Sequence, residues 1–259
     1  LSLVPIPENA EDRELVSILT SDSSLFRFLP NFYHGEPLRD VLEFNAPIGH
    51  QIQSVSGYDT PPLRSYWEFL LEANGYAFWD VLQYTESIPP IRNRQALNFL
   101  NVKYILAPMN TTLTGFRMIK EHPVRGWRLY ENPDVSPRFF MVSQAPPRRG
   151  VSFDLQQTCV GGGQFRPVDV VSYTPNTILL KSNNTCDGYL VSSETYYPGW
   201  RATIDGKETP VFEGNIAFRT IFLPAGAHRI EFSYRPTIVL VGAAVSTAAI
   251  LLAIFLVVI

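Results

Sequence analysis

The 259-residue chain carries 21 basic and 24 acidic side chains, a net charge of -3, and 46% of its residues are apolar. So even a balance leaves no basic excess for a nucleic-acid partner, and this much apolar surface offsets chain entropy well enough to exclude an intrinsically disordered chain. Charged residues make up 17%, aromatics reach 13% and there are 21 prolines; ordinary soluble domains hold about 25% charged residues, so a sheet- and turn-rich protein is expected.

The first 145 residues read as a mixed α/β region. Asn9 is placed to cap a helix whose first turn holds Glu11, Asp12 and Glu14 and whose apolar face is Leu15, Ile18 and Leu19. A strand over Leu25 to Leu29 stops at Pro30. Thr60 caps a second helix with Pro61 in its first turn; Leu63, Trp67, Leu70 and Leu71 form its buried face, and Asn74-Gly75 ends it. A shorter helix from Asn93 to Leu100 leads into a strand at Val102 to Leu106. Further strands are expected at Phe116 to Lys120, Trp127 to Tyr130 and Arg138 to Val142.

Gln144 to Gly150 has linker composition. From 151 to 236 the pattern becomes short strands at hairpin spacing: Val168 to Tyr173, Thr177 to Ser182, Tyr189 to Ser193, Trp200 to Ile204, Thr209 to Phe212, Phe218 to Leu223 and Arg229 to Tyr234. Asp205-Gly206 is a two-residue hairpin signal. The region reads as a small antiparallel β-sandwich. Residues 238 to 259 carry no charge; as a helix they extend about 33 Å, enough for a hydrocarbon core of about 30 Å. The fold class is therefore α+β: a mixed N-terminal part, a β-sandwich and one C-terminal transmembrane helix. Gly242 and Ser246 form a small-xxx-small pair on that helix. The chain opens on Leu1 without the layout of a signal peptide and stops at Ile259 while still apolar, so it is read as a segment of a longer membrane protein.

Catalytic chemistry is not visible. The four histidines, at 34, 50, 122 and 228, are scattered without a second ligand at metal spacing. Gly161-Gly162-Gly163 lacks the following Lys and helix of a phosphate loop, and no nucleophile elbow occurs. Glu68 and Glu72 share a helix face beside Arg64, where solvated charge is the simpler reading than an acid/base pair with one desolvated member. No metal or cofactor site is read. Cys159 and Cys186 are the two cysteines; a disulfide is allowed if they lie outside the cytoplasm, and two unrelated thiols are the alternative. Asn110-Thr111-Thr112 and Asn183-Asn184-Thr185 match the glycosylation acceptor pattern. Tyr196, Tyr197 and Trp200, in Tyr196-Tyr197-Pro198-Gly199-Trp200, are candidates for stacking on sugar rings. In the competing reading Trp200 fills the sandwich core with Ala202 and Ile204.

Glu194 to Trp200, followed by Ala202-Thr203-Ile204-Asp205-Gly206-Lys207, then Asn215, Phe218-Arg219, Leu223-Pro224-Ala225-Gly226, His228 and Tyr234-Arg235-Pro236, resembles the C-terminal extracytoplasmic region of the bacterial YfhO-type membrane protein family. Upstream, Ser56-Gly57-Tyr58-Asp59, Leu100-Asn101-Val102-Lys103-Tyr104, Tyr130-Glu131-Asn132-Pro133 and Pro137-Arg138 resemble it in the same order. The resemblance implies a large multi-pass parent, similar to glycosyltransferases that use lipid-phosphate-linked sugars and add them to envelope polymers such as teichoic acids. It also implies a bacterial cell-membrane location with residues 1–236 extracytoplasmic and the last helix running inward. The family's catalytic acidic residue belongs to an early loop outside this segment, so no catalytic position is carried over. The partners implied are the lipid bilayer and, through the parent, a lipid-linked sugar or envelope polymer. The alternative from a different class is a non-catalytic, membrane-anchored carbohydrate- or protein-binding or scaffolding module.

Overall fold

The computed structural model describes residues 10–30, 46–55, 63–76 and 91–258, the side chains of 10–12, 46, 48, 238–240, 244, 255 and 257–258 excepted. It divides into two compact units. The first comprises 1–138, 147–154 and 215–217; the second comprises 139–146, 155–214 and 218–259.

In the first unit, helix α1 (Ala10–Ser21) is followed by β1 (Arg27–Pro30), a single turn α2 (Ala46–Gly49), and the helices α3 (Arg64–Asn74) and α4 (Arg94–Phe99). Three strands complete it: β2 (Val102–Pro108), β3 (Arg117–His122) and β4 (Trp127–Glu131). They form one sheet in the order β1-β2-β4-β3, with β1 parallel to β2 and the other pairs antiparallel. Leu15 and Leu19 of α1 recur at helical spacing and pack with Phe26, Phe28, Ile52, Tyr104, Leu106, Trp127 and Leu129. Each such side chain contributes about 1.5–3 kcal/mol on burial. Phe69 of α3, Phe99 of α4 and Phe153 form a second cluster with centroids 5.8 to 6.2 Å apart.

The local signals explain most of these boundaries. Asn93 caps α4, its Oδ1 accepting from Gln95 N at 2.9 Å and Ala96 N at 3.4 Å; a side-chain oxygen there satisfies backbone donors that the first helical turn leaves open. Gly75 closes α3, its N–H donating to the Glu72 carbonyl. The expected caps Asn9 and Thr60, with Pro61, lie outside the described residues, and Leu63 precedes α3 without a side-chain cap bond. Lys103 reaches back to Asp22, its ammonium 2.5 Å from the carboxylate, to which the Tyr104 hydroxyl also donates at 2.9 Å. Burial works against the Asp22 charge, but Lys103, Ser24 and Tyr104 hold its carboxyl well below the usual range.

The second unit is a β-sandwich. Its strands are β5 (Phe139–Val142), β6 (Asp169–Tyr173), β7 (Thr177–Asn184), β8 (Gly188–Thr195), β9 (Trp200–Ile204), β10 (Lys207–Thr209), β11 (Phe212–Gly214), β12 (Phe218–Leu223) and β13 (Gly226–Tyr234). One sheet runs β10-β9-β13-β7-β6 and the other β11-β12-β8-β5, with every pairing antiparallel. Alternation buries Ile178 and Leu180 on β7, Ala202 on β9, and Ile230 and Phe232 on β13, while β8 of the other sheet is buried on both faces, at Leu190 and Val191.

Two expectations change. The single strand expected over Thr209 to Phe212 is two strands in different sheets, because Pro210 has no N–H for a ladder and the chain changes sheet there. The Arg138 to Val142 strand, read with the first region, is β5 and pairs with β8 of the sandwich; its four residues are all buried, as a strand covered on both faces requires.

Strand β13 passes through Arg235-Pro236 into α5 (Thr237–Val258), 22 residues without a charged side chain. Val241, Val245, Ile250, Leu251, Leu252, Ile254 and Leu256 are all exposed along it, so it is apolar on every side and lacks the stripe of a helix packed on a water-soluble core. Among the described residues no helix is long and apolar enough to cross a membrane, in contrast to the span expected over residues 238 to 259.

Candidate functional site

The loop between β8 and β9, Tyr196 to Gly199, carries the chain from one sheet to the other. It ends against the segment that opens α5. Arg235 N–H donates to the Gly199 carbonyl at 2.7 Å. A Cβ at Gly199 would lie 3.0 Å from both Pro236 Cα and Tyr234 Cε2, and φ at this residue is +109°. Space and backbone conformation therefore both demand glycine here.

The three aromatic candidates are differently placed. Tyr197 is the exposed one, at 47%, with its ring 6.4 Å from that of Tyr234. Tyr196 and Trp200 are half-buried. The Trp200 ring lies 5.4 Å from Tyr234, and one of its faces is covered by the Arg219 guanidinium, 3.7 Å from the centroid. Arg219 Nη2 also meets Glu194 Oε2 at 3.3 Å, and Tyr173 donates to Glu194 Oε1 at 2.9 Å. Trp200 thus packs inside a cationic and acidic cluster at this end of the sandwich, while Ala202 is fully buried and Ile204 half-buried on the same strand.

At the opposite end of β13 lies a contact that the sequence reading passed over. Asp205 and Gly206 form the β9–β10 turn. Asp205 Oδ2 lies 2.7 Å from His228 Nδ1, Asp205 Oδ1 accepts from Arg229 N–H at 2.9 Å, and Asp205 N–H donates to the Arg229 carbonyl at 2.8 Å. The Arg229 N–H and then His228 lower the Asp205 carboxyl, and that carboxylate raises the imidazole of His228. The signal was present in Asp205-Gly206 and in Leu223-Pro224-Ala225-Gly226 two residues before His228, but the pairing needs the β9–β13 register, Ile204 opposite Ile230. An open groove of about 710 Å³ runs beside the pair, edged by Arg166, Lys181, Arg229 and Asp169.

The other candidates stay apart. His34 lies outside the described residues; His50 is half-buried, and His122 accepts from Arg125 N–H at 3.3 Å beside Trp127. Among the described residues no group of three metal-ligating side chains occurs. Glu68 takes the Arg64 guanidinium at 2.7 Å, whereas Glu72 accepts the Val151 N–H at 2.8 Å, so each carboxylate has its own partner. Cys159 and Cys186 are joined in a disulfide with Cα atoms 6.0 Å apart, and the Gly161-Gly162-Gly163 turn closes beside it, Cys159 N–H donating to the Gly163 carbonyl. Asn110 and Asn183, the two acceptor asparagines, are exposed.

These features define an antiparallel sandwich that leads directly into an uncharged helix, with the β8–β9 loop held against the start of that helix. Residues 154–246 match the family model described as bacterial membrane protein YfhO. The match covers strands β6 to β13 and the first part of α5, where the motifs from Glu194 to Pro236 lie, and this part of the chain is similar to a membrane protein family. The upstream motifs, from Ser56 to Arg138, lie outside the matched residues. No curated protein and no solved structure matches the chain.

Proposed function

We propose that this chain is the extracytoplasmic C-terminal portion of a multi-pass membrane protein that resembles lipid-linked-sugar glycosyltransferases and takes part in glycosylating cell-envelope polymers. The segment itself is non-catalytic and shapes or guards the acceptor side of the parent's site. One observation carries this reading: the family match takes in eight of the nine sandwich strands, β6 to β13, and runs on into α5, so most of the sandwich and the start of the helix are matched together by one membrane protein family. Two others support it. The 22 residues of α5 extend about 33 Å, against a hydrocarbon core of about 30 Å. The Cys159–Cys186 disulfide suits an oxidising compartment outside the cytoplasm, which directs α5 inward. The groove beside His228 supports the role: Arg166, Lys181 and Arg229 outnumber the carboxylates of Asp169 and Asp205 along it, which favours a phosphate-bearing polymer.

The test is the sugar content of envelope polymers, by mass spectrometry, from cells with and without the full-length gene. The expected result is loss of one sugar substituent, restored by the full-length gene but not by this segment. An unchanged glycan profile in cells that express the gene overturns the transferase reading in favour of a membrane-anchored binding or scaffolding module.

A further inference from the structure

The loop from Tyr196 to Gly199 projects from the sandwich at the point where the chain leaves it for α5. Its position is fixed by the Arg235–Gly199 hydrogen bond at 2.7 Å and by the close approach of Gly199 to Pro236. The rings of Tyr197, Trp200 and Tyr234 gather there, with centroids 5.4 to 6.4 Å apart in successive pairs, and Arg235 is exposed beside them. Tyr234 stands three residues before the first residue of α5. Extended chain spans at most about 3.5 Å per residue, so Tyr234 lies within about 10 Å of the apolar stretch.

Tyr and Trp rings, with an apolar body and a polar tip, concentrate at the headgroup level of a bilayer, where an arginine can lay its stem along apolar surface and keep its charge among phosphates. We infer that the Tyr196 to Trp200 loop is an interfacial anchor, with Tyr197 and Tyr234 seated in the lipid headgroup layer and Arg235 on lipid phosphate. The inference rests on the reading of α5 as a membrane span. It assigns the exposed Tyr197 ring a lipid partner, where a sugar ring or a second protein would be the competing occupant. The clamp at Gly199 gives the anchor its effect: because the loop cannot move independently of Pro236, seating the rings fixes the height and tilt at which the sandwich stands over the bilayer.

The experiment uses the full chain in vesicles of phosphatidylcholine and phosphatidylglycerol. Both native cysteines are bridged, so one introduced thiol takes a nitroxide label, and the ratio of its oxygen to nickel-chelate accessibility reports depth. Val245→Cys lies eight residues into α5, about 12 Å below its start. Pro198→Cys marks the loop while keeping its rings, and Ala227→Cys lies about 23 Å up β13 from Tyr234. Position 245 is expected deep, 227 aqueous and 198 between them. If 245 is deep and 198 is as aqueous as 227, the anchor is overturned and the membrane span survives. If 245 is aqueous, the span fails and the anchor with it. Tyr197→Trp provides a readout that retains an aromatic ring: its added fluorescence should be lower in vesicles of lipid brominated near the headgroup than in unbrominated vesicles, and equal fluorescence in the two overturns the anchor.

Discussion

The guanidinium of Arg219 lies 3.7 Å from the centre of the Trp200 ring and 3.3 Å from the carboxylate of Glu194. The two charged side chains are only 4% and 12% exposed, so the cation on β12 holds both the aromatic of β9 and the acid of β8. Three strands from two sheets meet on one side chain.

Removing that cation leaves a buried carboxylate without its counter-charge. Arg219→Met is therefore expected to destabilise the sandwich by about 3 kcal/mol, measured by urea unfolding in detergent micelles. Adding Glu194→Gln should return part of this, because the stranded charge is then gone. A double variant as unstable as the sum of both singles would contradict the coupling.

Gly199 and Gly206 separate two effects of glycine. At Gly206, φ is +81° and a Cβ would meet nothing within 4 Å, so Gly206→Ala is expected to cost about 1 kcal/mol of backbone strain alone. Gly199→Ala adds a clash with Pro236 and Tyr234 at 3.0 Å and should cost about 2–3 kcal/mol. Equal melting temperatures for the two variants would show that Gly199 is not held against the start of α5.

The disulfide closes a loop of 27 residues in sequence separation. In the chain-entropy account this contributes about 3.5 kcal/mol by restricting the unfolded chain. The Cys159→Ser, Cys186→Ser double variant should lower the unfolding midpoint accordingly, and dithiothreitol should do the same to the native protein but not to the variant.

The His228–Asp205 contact makes the β9–β10 turn pH-dependent. His228 is raised above 6.5, so its contribution is complete below 6.5 and is lost as pH rises through the raised value. Asp205 is lowered below 3.8, so its contribution is complete above 3.8 and is lost as pH falls through the lowered value. The pair is strongest between these limits. An NMR titration of the imidazole should give a midpoint above 6.5 that falls back toward it in Asp205→Asn; an unchanged midpoint would contradict the contact.

Local chemistry was readable where it acts within a few residues. Asn93 announces α4 because its cap bonds reach only Gln95 and Ala96, and Asp205-Gly206 announces a hairpin because the turn's backbone demands those residue types. Relations across sheets were not readable. Pro210 marks a break, but nothing local says that the chain on either side of it joins different sheets. The partners of Trp200 are set by where β12 and β13 fall, so neither the core reading nor the sugar-stacking reading foresaw Arg219 over its ring. The resemblance to a membrane protein family was legible because the motifs from Glu194 to Pro236 are contiguous in sequence, and these are the motifs that fall within the matched residues 154–246.

The most direct test of the account is the side of the membrane on which the sandwich stands. Ala227→Cys, placed in the full-length protein in intact bacteria, is treated with a membrane-impermeant maleimide. The account predicts labelling in intact cells equal to that after lysis, because position 227 is exposed on an outer domain. Labelling that appears only after lysis would put the sandwich in the cytoplasm and contradict the proposal.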